Sequence, residues 1–182
     1  MDILQLKITL LGIEPKIYRV VQVPATITLR NLHKVIQKVM PWENSHLYQF
    51  IKGTAVYAPR SRGSLPSCGH SDRSVKLTDL LPKARHKLLY EYDFGDDWCH
   101  EVLLQKVLPA AEGVRYPVCI DGRFAAPPED SGGPHGYCDL LEELDNPQHP
   151  RHDEARNWLG KDFDPEFFDL DLSNRQLRRI KV

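Results

Sequence analysis

From Ile3 to Leu11 apolar and polar positions alternate. Leu4, Leu6, Ile8 and Leu10 share one face and Gln5, Lys7 and Thr9 the other, the period of a half-buried strand. Gly12-Ile13-Glu14-Pro15 interrupts the alternation. The β-branched stretch Ile17 to Val23 then predicts a second strand, ended by Pro24 and paired with the first as an antiparallel hairpin. After Thr28, a plausible N-cap, the period lengthens. Leu29, Leu32, Val35, Ile36, Val39 and Met40 recur on one helical face until Pro41 stops the run. Leu47 to Ile51 reads as a short apolar strand. Pro59 to Ser74, rich in Ser, Gly, Pro and Arg, has no period and predicts a surface loop. Leu77 to Leu81 suits a single helical turn.

The clearest pairing follows. Leu88, Tyr90, Tyr92 and Phe94 alternate with Leu89, Glu91 and Asp93. Beyond the turn Gly95-Asp96-Asp97, Trp98, His100, Val102 and Leu104 alternate with Cys99, Glu101, Leu103 and Gln105. This predicts a long hairpin. Arg115 to Ile120 suits an edge strand, and Ala126 to Pro134 an irregular loop. Three helices follow: one with Tyr137, Leu140, Leu141 and Leu144, one after Pro150 ending at Gly160, and one with Ser173 and Gln176 at capping-box spacing. A short helical turn is expected at Asp164-Pro165. Strands fill the first two thirds and helices the last third, which predicts an α+β fold with a mostly antiparallel sheet.

Composition narrows the class. The 182 residues, 41% hydrophobic and 27% charged, suit one globular domain over 1–182 that needs no disulfide or metal to fold. Lys and Arg number 24 against 25 Asp and Glu, for a formal charge of −1, which argues against a protein built mainly to hold duplex phosphates. Cys68, Cys99, Cys119 and Cys138 form no C-x-x-C pair. With no apolar leader and no run of about 18 apolar residues, a cytoplasmic, membrane-free protein with reduced thiols is expected.

Several stretches together resemble one known family. They are Ile8-Thr9-Leu10-Leu11-Gly12-Ile13-Glu14-Pro15 with Ile17-Tyr18-Arg19, Trp42-Glu43-Asn44-Ser45-His46-Leu47, Tyr92-Asp93-Phe94-Gly95-Asp96-Asp97-Trp98 with His100, Pro127-Pro128-Glu129-Asp130 with Gly132-Gly133 and Gly136-Tyr137, and Phe163-Asp164-Pro165-Glu166. In this order, over nearly the whole chain, they resemble the plasmid pRiA4b ORF-3-like family, also described as passenger (TnpR-like) proteins of insertion elements. The resemblance implies a compact α+β fold and a bacterial or archaeal setting near mobile DNA. It implies no reaction, and no serine or tyrosine recombinase signature is visible. The chain departs from the family pattern at Tyr48, where His is common, and at Ala126 and Ser131, where Cys is common. If relatives hold a metal with those cysteines and Cys119, this chain has lost most of that site, so no structural zinc is expected there.

Candidate chemistry gathers around one turn. Asp93, Asp96, Asp97 and His100 combine oxygen ligands with an imidazole that can ligate or move a proton, although Asp is also an ordinary turn residue. Arg19 shares a face with Ile17, Val21 and Val23. A guanidinium there needs a carboxylate, with Asp93 or Glu129 as natural partners, or a route to solvent; the functional reading is an anion-binding arginine. His46 can supply a second imidazole. Glu129 and Asp130 lie on a rigid loop before a helix, where acids also favour the helix dipole. Cys68-Gly69-His70 is a weak metal signal without a second pair. Arg175, Arg178, Arg179 and Lys181 make a basic C-terminal helix, a weak polyanion candidate and more simply a solvated face.

Two functions compete. The first is a non-enzymatic binding or accessory module acting with mobile-element or nucleic-acid machinery, preferred because no catalytic signature is visible. The alternative is a divalent-metal-dependent hydrolase of phosphoesters, which requires Asp93, His100, His46 and Glu129 or Asp130 to converge. Neither a cofactor nor a metal-ligand set is assigned from the sequence.

Overall fold

A computed structural model of the chain describes residues 1–60 and 69–182. One eight-stranded sheet organises it. The strands are β1 (Asp2–Leu10), β2 (Tyr18–Pro24), β3 (Tyr48–Lys52), β4 (Ala55–Ala58), β5 (His70–Ser71), β6 (Lys87–Tyr92), β7 (Trp98–Pro109) and β8 (Val118–Arg123). They run β5-β4-β3-β6-β7-β1-β2-β8, and every pairing is antiparallel except that of β4 with β5. The hairpins β1–β2 and β6–β7 form as the alternation predicts, the second pairing Tyr92 with Trp98.

The two sheet faces differ as a period of two demands. Leu4, Leu6, Ile8, Leu10, Tyr90, Trp98, Val102 and Leu104 are fully buried on the inner face. Outside, Gln5 joins Gln105 and Gln22, Gln49 bonds Glu91, and Lys87 meets Glu101. Helix α1 (Leu29–Val39) adds its stripe Leu29, Leu32, Val35, Ile36 and Val39 to the inner face. Each buried aliphatic side chain there contributes roughly 1.5–3 kcal/mol of transfer free energy. Thr28 caps α1 by accepting the Asn31 N–H. Helices α2 (Leu77–Leu80), α3 (Gly133–Asp145), α4 (His152–Leu159) and α5 (Leu170–Leu177) complete the fold. Among the described residues no helix is long and apolar enough to cross a membrane.

Four expectations are corrected. The 59–74 stretch is not all surface loop. Residues 61–68, and with them Cys68, lie outside the described residues, but His70–Ser71 pairs with β4 and Asp72 is fully buried. A two-residue strand is too short to show alternation. Asp72 is held by the Tyr48 hydroxyl and by Arg30, 3.2 Å away. Phe94 does not join Leu88, Tyr90 and Tyr92 inside. The backbone turns at Asp93, with φ of 58°, and leaves Phe94 exposed. Asp164-Pro165 begins only a turn. Finally, Ser173 sits inside α5, whose cap is Asp169, so α5 ends at Leu177. Arg178, Arg179 and Lys181 follow it, and only Arg175 lies on the helix, so the basic helix is absent.

Candidate functional site

The β6–β7 turn and the loop 126–134 meet at the rim of the sheet. Trp42 and Tyr92 anchor the meeting. The Trp42 indole N–H donates to the Pro127 carbonyl at 2.9 Å, and the ring stacks on Tyr92 with centroids 4.9 Å apart. The Tyr92 hydroxyl accepts the backbone N–H groups of Ser45 and His46 and donates to the Glu129 carboxylate. Burial, and then the bond to Glu129, raise the Tyr92 pKa well above the usual phenol value, so it stays a donor. One core tyrosine thereby ties together the segment bearing His46 and the loop bearing Glu129 and Asp130.

Asp96 fastens the same loop. Its carboxylate accepts the Gly132 N–H at 3.2 Å. Gly133, with φ of 70°, lies so close that an added Cβ would sit 2.4 Å from the Asp96 carbonyl oxygen. Glycine is required there for space and for backbone conformation. Asp97 closes the turn through its N–H to the Asp93 carbonyl at 2.7 Å, also with positive φ.

The outcome is a convergence of three side chains. His46 Nδ1 lies 3.4 Å from Asp93 Oδ2, and His46 Nε2 lies 3.2 Å from Asp130 Oδ1. One ligand atom from each of the three falls within 4.8 Å of the others. Asp93 is largely buried; its Oδ1 accepts the Gly95 N–H, which fixes the carboxylate and leaves Oδ2 toward His46. Asp130, three-quarters exposed, closes the cluster from the solvent side. Asp93 and Asp130 both adopt left-handed backbone, with φ of 58° and 60°. His46 Nε2 is screened from solvent and hydrogen-bonds to nothing among the described residues, although Asp130 is within ion-pair distance. One imidazole nitrogen with two carboxylates is a donor set for a first-row divalent cation.

The remaining candidates lie elsewhere. His100 is fully buried, its Nδ1–H donating to the Trp98 carbonyl, and burial lowers its pKa to about 4. It meets Trp42 edge-on at 5.3 Å between centroids, with Trp42 and Tyr92 between it and His46. Arg19 is also buried but meets neither Asp93 nor Glu129. Its Nε donates to the Val39 carbonyl and its Nη1 to the carbonyls of Tyr18 and Arg123. The expected carboxylate partner is thus replaced by main-chain oxygens at the end of α1, the start of β2 and the end of β8. Cys119 Sγ bonds the Asp121 carbonyl and Ser131 Oγ the Pro128 carbonyl, so neither belongs to a metal-ligand set among the described residues.

Tyr92 reads from the sequence only as a strand aromatic and Trp42 only as part of a family stretch, so their part in placing His46 and Asp130 is not legible there. The signal available was the pairing of large aromatics with Gly132-Gly133 and Gly136, close-approach residues that imply a tightly docked loop.

Fold and rim together define an α+β protein with one mostly antiparallel sheet and a His/Asp cluster at the end of its central hairpin. The chain belongs to the family of plasmid pRiA4b ORF-3-like proteins, whose pattern matches residues 2–172. It is 38% identical over 170 residues to the uncharacterized protein y4hQ of Sinorhizobium fredii NGR234, covering 90% of this chain and 84% of that one. It is also similar to the crystal structure of MM3350, a protein of unknown function from Methanosarcina mazei Go1, with a TM-score of 0.85, 40% identity, and coverage of 93% and 96% of the two chains.

Proposed function

We propose that the chain is a divalent-cation-binding protein, with His46, Asp93 and Asp130 as its ligands. The observation that supports this best is the gathering of their donor atoms within 4.8 Å, two of them on residues in left-handed backbone. An imidazole flanked by two carboxylates is a donor set for a metal ion. The unbonded, shielded Nε2 favours the metal. A cation here also neutralises a face crowded with Asp93, Asp96, Asp97, Glu129 and Asp130, and locks the 126–134 loop onto the hairpin.

An accessory role beside mobile DNA is supported by the family resemblance and by the lack of a catalytic signature in the sequence, and by no feature of the described residues. On an acidic rim, a phosphate-bearing partner would be repelled unless the cation intervenes. The exposure of Asp130 and the nearness of Glu129 favour a second reading, in which the cation keeps open positions and serves phosphoester hydrolysis. Calorimetric titration of metal-free protein with Mn2+ and Zn2+ tests the first reading. One equivalent is expected, lost in His46→Ala and Asp93→Asn; stoichiometry unchanged in both variants would contradict it. Hydrolysis of bis(p-nitrophenyl) phosphate by the loaded protein tests the second. Turnover that vanishes in Glu129→Gln while the cation stays bound supports it, and no turnover refutes it.

A further inference from the structure

Arg19 is a charge without a counter-charge. It is 1% exposed, and among the described residues it forms no ion pair. The titratable groups that act on it are Cys119 and Tyr137, both neutral near pH 7, and burial pushes their pKa values further up, to about 11 and 12. Nε and Nη1 are spoken for by carbonyls, whereas Nη2 donates to no described group. The guanidinium lies over the Phe168 ring at 4.1 Å. Phe168 reaches it because Gly122 has no side chain; a Cβ there would sit 2.4 Å from the ring. An isolated buried cation is costly, and burial without compensation lowers the Arg19 pKa to about 10.

This arginine borders a cavity of about 410 Å3 between the end of α1, the Ala125–Pro128 segment and α5. Its walls are mainly apolar, with Phe163, Phe167 and Phe168 on one side. Lys38, also without an ion pair among the described residues, adds a second cation. Asp169 is the one acid on the wall, and it is engaged: one oxygen caps α5 and the other lies 3.7 Å from Arg175. The volume falls in the range of small-molecule sites, which combine an apolar lining with a few fixed polar groups.

We infer that this cavity binds a small amphipathic anion, a carboxylate or phosphate monoester whose head meets Arg19 Nη2 and Lys38 while its apolar body packs on Phe163, Phe167 and Phe168. The site shares none of the cation cluster's three ligands, although its Ala125–Pro128 wall leads into the loop that carries Asp130. A guanidinium pre-held by three carbonyls and a ring loses little freedom when an anionic head bonds its remaining nitrogen.

The test is titration of the full chain with phenylacetate, phenyl phosphate and benzyl alcohol, followed by calorimetry and by the Arg19 side-chain 15N–1H resonance. At least one of the two anions is expected to bind about tenfold or more tighter than the neutral alcohol and to shift that resonance. Whichever anion binds tighter identifies the head group. Lys38→Glu, on the helix surface, should weaken the anion by about tenfold or more and leave Mn2+ binding unchanged. Arg19→Lys should abolish it where circular dichroism shows the variant folded. Equal affinity for anion and alcohol, no binding at millimolar concentration, or an anion affinity untouched by Lys38→Glu would overturn the assignment, leaving Arg19 as a cap for α1.

Discussion

His33 and His100 sit uncharged in the core, and each fixes its own tautomer. Neutral His33 accepts the Tyr90 hydroxyl proton at Nδ1 and donates Nε2–H to Asn44 Oδ1, while stacked on Tyr48 at 3.5 Å. Burial, the dominant cause in both, lowers each pKa to about 4. In the unfolded chain the imidazole value is about 6.5, so between about pH 6.5 and 4 the unfolded state binds more protons. Stability is therefore full above about pH 6.5 and falls as pH drops toward 4, by up to roughly 3 kcal/mol per histidine. Urea unfolding at pH 7 and pH 4.5 measures this, and His100→Gln should flatten part of the slope. A slope the same in His100→Gln as in the unaltered chain would show that His100 does not contribute to acid unfolding. His100 also shows what a sequence cannot reveal. Its alternation with Trp98 and Val102 placed it inside correctly, but not whether that interior was a site or a packed layer. Arg19 is similar: its inward direction was legible, whereas its carbonyl partners depend on where α1 ends and where β8 runs.

At the scale of elements, periodicity located β1, β2, β6, β7 and α1 because each is long and has one buried face. β4 and β5 were invisible, since four and two residues give no usable period and their pairing is set by the sheet edge. The α5 start was misjudged because Ser173 and Gln176 imitate a capping box while Asp169 makes the actual bond, at 2.7 Å to the Leu172 N–H. The 126–134 loop is the element on which the cation site depends. Gly133→Ala must both strain a positive-φ backbone and clear the Asp96 carbonyl. A loss of about 1–3 kcal/mol in chemical denaturation is expected, with cation affinity reduced by about tenfold because Asp130 is displaced. Trp42→Phe removes the hydrogen bond to Pro127 but keeps the stacking, and should cost about 1 kcal/mol. If both variants bind metal like the unaltered chain, the loop does not position the site.

For the whole molecule, the sheet brings together residues that no local pattern joins. His46 precedes β3, Asp93 follows β6, and Asp130 stands before α3; only the β3–β6 pairing and the docked loop make them neighbours. The family resemblance marked all three stretches, and the fold explains why they occur together. The same fold sends His100 and Arg19 inward and separates the acidic rim from the apolar cavity beside α5. The claim on which the account turns is that the rim cluster is a metal site. A manganese-soaked crystal with data at an energy of strong manganese anomalous scattering tests it directly. The account predicts a single anomalous peak within about 2.0–2.3 Å of a His46 nitrogen, Asp93 Oδ2 and an Asp130 oxygen. No peak there at saturating manganese, with His46 still bridging the two carboxylates, would contradict it.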